Sequence, residues 1–346
     1  MKLRTTLFFI GLFSIVLVIY LAQSKRTVEV AEQEKKMSDD FKVQVEEKMP
    51  AFDKNEKINF IQVQEMNKEE TFWLEKQNDG WKIIYPVRAL ADQALAQGMS
   101  GMVSLALRQK LLRPEGDWKE YGLDQPEIKI GVGTSAEAER HFLYLGKELP
   151  LVQGVFARWD EKKAYFLLPS AVKSAFRKSV YEVREKRVFM TPIPKIDRIY
   201  ITMGSRTFDW TLRNGIWYWM EPLDLIGKTM PADQMMAVIQ VLSKLYIKEF
   251  LDDSTEDGYS AGISMISERI QIRAGEKAES VFFGKEASMK TAYYAQRENE
   301  KKLFLIDQAK VIQILDLLDA IEKANHSPDG VSAISDSQEI KLEAAN

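Results

Sequence analysis

LGKE stands at Leu145–Glu148 and FGKE at Phe283–Glu286, 138 residues apart (283 − 145). Recurrence at a fixed distance is the mark of a chain built from two copies of one plan. The same offset brings VEEK at Val45–Lys48 onto VREK at Val183–Lys186, Ile58, Ile61 and Val63 onto Ile196, Ile199 and Ile201, and Phe166 onto Phe304. The offset falls to 136 at Trp81/Trp217 and Pro86/Pro222, then rises to 141 at the two ADQ triplets, Ala91–Gln93 and Ala232–Gln234. A short insertion around Asp224–Lys228 in the second copy accounts for the drift.

Within each copy the hydrophobic period predicts strands, a helix, more strands and a closing helix. INFIQVQ, TFWLEK and WKIIYP read as strands in the first copy, with Asn78–Gly80 as a tight turn. IDRIYIT, TFDWTL and IWYWM repeat them, with Asn214-Gly215 at the turn. The ADQ triplets open helices, with Leu95, Met99, Met102 and Ala106 on one face and Met235, Val238, Leu242 and Leu245 on the other copy's face. Asp92 and Asp233 are placed in the first turn, where the helix dipole favours a carboxylate. EIKIGVG, HFLYLG, QGVFARW and AYFLL follow in the first copy; RIQIRAG, SVFFG, TAYYAQR and KLFLI follow in the second. On this pattern LGKE and FGKE each end a strand in glycine and turn the chain through charged residues.

Thr5–Gln23, TTLFFIGLFSIVLVIYLAQ, carries no charge. As a helix it spans about 28 Å at ~1.5 Å per residue, near the ~30 Å of a bilayer core. Its basic flanks and the bulky residues before Ala22 favour an uncleaved single-pass anchor over a removed leader. Lys2, Arg4 and the terminal amine tilt the charge balance toward a cytoplasmic N-terminus, with everything from Ser24 onward extracytoplasmic. The expected fold class is therefore α+β: two tandem repeats, each a mainly antiparallel sheet with packed helices, behind a transmembrane helix. Residues 1–26 form the tip and anchor, 27–57 a charged stalk, 58–190 and 191–323 the repeats, and 324–346 a disordered tail.

The hairpin LEKQNDGWKIIYPV, the ADQ triplet and YGLDQP at Tyr121–Pro126 resemble the domain-of-unknown-function family numbered 4340 over about Ile58–Ile321. Tyr121, Gly122, Leu123, Asp124 and Pro126 form the most specific element of that resemblance. The second copy departs from it, with DGYSAGIS at Asp257–Ser264. The resemblance implies an envelope accessory protein associated with ABC transporter components of the gliding-motility or auxiliary export type. It implies no catalytic residue and no cofactor.

Composition removes several chemistries. There are no cysteines and only two histidines, His141 and His326, so thiolate and imidazole sites have little material. A net charge of −3 supplies no global basic field for nucleic acid. GMSGM at Gly98–Met102 lacks the spacing and the strand-to-helix turn of a nucleophile elbow; its glycines suit close helix-to-sheet approach. GVGTSAEAER at Gly131–Arg140 lacks the third glycine of a phosphate loop and reads as a hairpin turn. Asp252-Asp253 reads as a solvated loop. Trp210, Trp217 and Trp219 crowd one hairpin, where core packing is favoured over a partner or ligand surface. The functional expectation is a non-catalytic, membrane-tethered binding or scaffolding protein; the alternative is an envelope hydrolase with an Asp/Glu site.

Overall fold

The computed structural model describes residues 57–68, 70–107, 118–160, 165–252, 257–264, 268–287, 291–298 and 300–326. The expected span Thr5–Gln23, nearly all of the stalk, Asp253 and residues 327–346 lie outside the described residues. Among the described residues, no helix is long and apolar enough to cross a membrane. The chain divides into two compact units between Glu185 and Lys186, slightly before the boundary expected at residue 190.

The first unit holds β1 (Phe60–Glu65), β2 (Glu70–Gln77), β3 (Gly80–Tyr85), β4 (Ala89–Leu90), β5 (Ile128–Gly133), β6 (His141–Leu149), β7 (Gly154–Trp159) and β8 (Tyr165–Pro169). Helix α1 (Gln93–Ala106) connects β4 to β5, and α2 (Ser170–Phe176) and α3 (Val180–Val183) follow β8. All eight strands form one sheet in the order β4-β3-β2-β1-β5-β6-β7-β8, with every pairing antiparallel. The chain therefore leaves one edge after β4, crosses by α1, and re-enters beside β1.

The second unit repeats this with β9 (Arg198–Met203), β10 (Arg206–Arg213), β11 (Ile216–Glu221), α4 (Ala232–Ser243), β12 (Ile247–Phe250), β13 (Arg269–Ala274), β14 (Lys277–Glu286), β15 (Ala292–Arg297), β16 (Leu303–Asp307) and α5 (Gln308–His326). Its order is β11-β10-β9-β13-β14-β15-β16-β12. Seven strands correspond one to one. The eighth differs: β4 extends the β3 edge of the first sheet, whereas β12 covers the β16 edge of the second. In place of β4 the second unit has a single bridge, Tyr218 to Thr229, after a 3-10 turn at Leu223–Leu225. The predicted insertion is this turn, and it tucks Leu225 into the core.

Period-two alternation builds each core. Ile61, Val63, Phe72, Leu74, Trp81 and Ile83 turn one face of the first sheet toward α1 and α2, which contribute Met99, Val103, Val172 and Phe176. Ile199, Ile201, Phe208, Trp210 and Trp219 do the same beneath α4 and α5. Among the described residues, each sheet thus has one face under helices and one face free of them.

Several local expectations are corrected. Asp92 is the N-cap of α1 rather than a first-turn residue, its carboxylate accepting the Leu95 N–H at 3.0 Å, whereas Asp233 does lie in the first turn of α4, behind Pro231. Gln93 clamps the hairpin to the helix start: Oε1 accepts the Trp81 N–H at 2.8 Å and Nε2 donates to the Trp81 and Ala91 carbonyls. Gln234 instead accepts from Asn325 Nδ2 at 2.9 Å, so the shared triplet does different work in each copy. Gly98 and Gly101 face open space and serve no close approach. The tail is expected from residue 324, whereas α5 continues to His326.

His326 closes α5 by bonding the Glu322 carbonyl through Nδ1 and pairing with Asp224 through Nε2. The Glu322 carbonyl first, and Asp224 next among the favourable contacts, raise its pKa above the ordinary imidazole value. A raised folded-state pKa means that the contact stabilises fully below the unfolded value and fades as pH rises through the folded one. An NMR titration of His326 should give a midpoint above 6.5, and Asp224→Asn should lower it. An unchanged midpoint in that variant would show that the carboxylate contributes nothing.

Candidate functional site

The repeated tetrapeptide is a bulge inside a strand, not a turn at its end. β6 runs on to Leu149, and its register slips between Leu145 and Glu148 against Ala157 and Val155. β14 slips identically between Phe283 and Glu286 against Ala295 and Tyr293. One extra residue on the bulged strand turns a backbone N–H out of the ladder. Lys147 and Lys285 supply those N–H groups, donating at 2.9 Å to the carbonyls of Tyr121 and Ala261.

This pairing locates the family-motif loop. Leu123 N–H bonds back to Trp118 and Gly122 N–H to Lys119; Ile263 N–H bonds back to Gly258 and Gly262 N–H to Tyr259. Gly122 and Gly262 both take positive φ, at 65° and 78°. DGYSAGIS therefore keeps the geometry of YGLDQP while losing its aromatic residue, because Ala261 stands where Tyr121 does. Gly146 and Gly284 admit the loop: a methyl on either would press into the Tyr121 or Ala261 carbonyl oxygen. In the first unit the bulge is also held from the helix side. Lys173, its side chain 3% exposed, donates to the Gly146 carbonyl at 2.9 Å and pairs with Glu127 and Glu148 at 2.8 and 3.3 Å.

The loop covers one end of the helix-free face. Tyr121 packs on Phe156 and Tyr165 with ring centroids 4.6 and 4.5 Å apart, and Leu123 joins them. Asp124 is exposed and Pro126 half-buried at the loop's exit. Arg158 lies over Tyr144 and Trp118 at 4.0 and 4.5 Å and donates to the Leu123 carbonyl.

Beyond the loop the same face carries rings capped by cations. Arg140 lies 4.6 Å from the Phe60 centroid and 4.9 Å from Trp73. Lys129 lies 4.1 Å from Phe142 and 5.7 Å from Tyr144. Tyr85 follows, 5.2 Å from Trp73 and 46% exposed. Gly131 makes room for this, since a methyl there would meet the Phe142 ring at 3.0 Å. Strand register puts Arg198, Gln271 and Ser280 at the positions of Phe60, Gly131 and Phe142 in the second sheet. There the face is more polar: Arg198 pairs with Asp209, Arg273 with Asp197, and Gln271 bonds Ser280, while one ring, Tyr200, lies under Arg269 at 4.8 Å.

The tryptophan trio is placed differently from a surface. Trp210 and Trp219 are 0% exposed with centroids 5.1 Å apart, and Trp217 packs half-buried against the same core. Of the three, only Trp217 reaches the surface. The residues that sequence reasoning missed are Trp73, Tyr85, Lys129, Arg140, Phe142 and Tyr144. Their signal was aromatic side chains at the outward positions of alternating strands, where polar residues are the norm. The second unit also holds an apolar pocket of about 360 Å³, lined by Phe189, Ile193, Ile196, Ile239 and Ile272 with Arg187.

No curated protein and no solved structure matches the chain. A family model does match, over residues 81–261, from the strand carrying Trp81 through YGLDQP to the loop carbonyl at Ala261. That match covers more than half of the chain but is shorter than the Ile58–Ile321 resemblance. The chain belongs to the family described as Domain of unknown function (DUF4340).

Proposed function

We propose that the chain is a non-catalytic, membrane-tethered binding or scaffolding protein of the cell envelope, accessory to an ABC-type transport or surface-assembly complex. The observation that carries this reading is the divergence of two faces on one shared scaffold. At the positions of Phe60, Gly131 and Phe142 the second repeat sets internally paired polar groups and keeps one cation-capped ring, Tyr200 under Arg269; the first keeps the same scaffold and presents several rings and cations there. Duplication followed by specialisation of one face is what a recognition role asks of a repeat protein. The uncharged run Thr5–Gln23 supports the tether, which confines the body to the membrane surface and raises its effective concentration toward a membrane partner.

The buried carboxylates favour this reading over a hydrolase. Asp209 accepts two bonds from Arg198, and Glu65 pairs with Lys68 and Arg177. Acids engaged in this way serve as structural counter-ions rather than as a free acid–base pair. Mild crosslinking in membranes followed by affinity purification in detergent should recover an integral membrane component of a transport or assembly complex. Recovery of the chain alone would overturn the scaffold reading.

A further inference from the structure

We propose that the helix-free face of the first sheet docks an extended acidic segment of a partner protein, an assignment that rests on the binding-module reading above. The face looks at first like a sugar platform, and its geometry argues otherwise. A sugar stacks on an open ring face, but here the Phe60 and Trp73 rings face Arg140 and the Phe142 ring faces Lys129. What these positions offer an incoming group is positive charge, held in place by the rings beneath.

Both cations retain donors. Arg140 spends one N–H on Gln62 Oε1 and one on the Ala136 carbonyl, each at 2.8 Å. A guanidinium carries five, so three are left for a ligand. Among the described residues Lys129 has neither a hydrogen bond nor an ion pair, only its rings. Two carboxylates beside these cations are committed elsewhere. Glu75 accepts the Ala136 N–H and Gln77 Nε2, each at 3.1 Å, and Asp160 accepts the Phe142 N–H at 2.8 Å while facing His141. Cations set on rings lose less side-chain freedom on binding than free surface lysines, which lowers the cost of association.

Spacing selects the form of the ligand. Phe142 on β6 and Phe60 on β1 are separated by β5 and offset by two residues along the strands, so the rings stand roughly 12 Å apart at ~4.8 Å per strand and ~3.4 Å per residue. On an extended polypeptide, side chains two and four residues apart share a face at roughly 7 and 13 Å. Acidic residues at those intervals straddle the gap and reach both cations. Tyr85, open at the edge, gives such a segment an apolar contact where it leaves the face. The chain as a whole carries −3, so attraction is local and screened within about 10 Å, which favours a docked segment over long-range capture.

The test is fluorescence anisotropy on the full chain in detergent micelles, with a labelled twelve-residue peptide of about six alternating Glu-Ser pairs, which sets every carboxylate on one side of a strand. The wild type should bind it. Lys129→Gln with Arg140→Gln should weaken binding about tenfold or more, Lys129→Arg should retain it, and added salt should weaken it. Near-UV circular dichroism checks that the double variant is folded, with Lys129→Gln alone as the fallback. No binding by the wild type, or equal binding by the folded variant, overturns the proposal. So does binding of polygalacturonate without binding of the peptide, which would make the face a site for anionic glycan. The membrane crosslinking separates the two levels: capture that persists in the double variant removes this docking surface and leaves the scaffold reading standing. Absence of capture by the wild type removes the scaffold reading, whatever the peptide does.

Discussion

Gly146→Ala should destabilise the first repeat by about 2–4 kcal/mol, and Gly284→Ala the second by a similar amount, because each methyl meets backbone rather than a side chain that can swing aside. At Gly146 the obstacles are the Tyr121 carbonyl and, at 2.9 Å, the Gly122 carbonyl. Relieving the clash lifts the loop, breaks the Lys147 N–H bond to Tyr121, and opens the aromatic cluster beneath Tyr121. For a unit of this size the midpoint should fall by about 5–15 °C. Gly98→Ala and Gly101→Ala are the controls. Both lie in α1 with nothing near the added carbon, so each should stabilise by up to about 1 kcal/mol through helix propensity and the unfolded chain. Thermal unfolding followed by far-UV circular dichroism on the four variants decides the matter. If Gly146→Ala melts with the wild type, the bulge is not what seats the loop.

Much of this architecture is legible in the sequence because its cause is local. Alternation in TFWLEK or RIQIRAG declares a strand with one buried face whatever lies beside it, and the 138-residue offset declares that the plan occurs twice. LGKE shows where local reading stops. Glycine beside charge signals a turn when only neighbours are considered, yet Gly146 is small because of Tyr121, twenty-five residues earlier. The loop equivalence was hidden for the same reason: YGLD and SAGIS share φ angles and hydrogen bonds, not side chains. The cation-capped face was hidden because it needs four strands in register. Lys129, Arg140, Phe60 and Trp73 are unremarkable one at a time, and only the β2-β1-β5-β6 order brings them onto one surface. The tryptophan hairpin was easier: aromatics crowded onto alternating strands favour core packing, and Trp210 and Trp219 are fully buried.

That core gives the second large effect. Trp219→Ala should destabilise the second repeat by about 3–5 kcal/mol, as a fully buried indole leaves a cavity that the sheet cannot close. Its neighbours are fixed: Trp210 lies 5.1 Å away on the paired strand and itself stacks on Phe208 at 5.7 Å. Trp217→Ala should cost less, about 1–2 kcal/mol, because that ring is only half-buried and removes less apolar area from water. Trp219→Phe distinguishes packing from polarity. Among the described residues neither the Trp219 nor the Trp210 indole N–H has a hydrogen-bond partner. Phenylalanine therefore removes an unsatisfied donor while keeping most of the volume, and the net cost should stay within about 1 kcal/mol. Urea unfolding of the full chain in detergent gives the order Trp219→Ala, then Trp217→Ala, then Trp219→Phe. Equal losses for the two alanine variants would mean that the hairpin's two indoles are buried alike, and a Trp219→Phe loss as large as that of alanine would mean that its N–H is bonded after all.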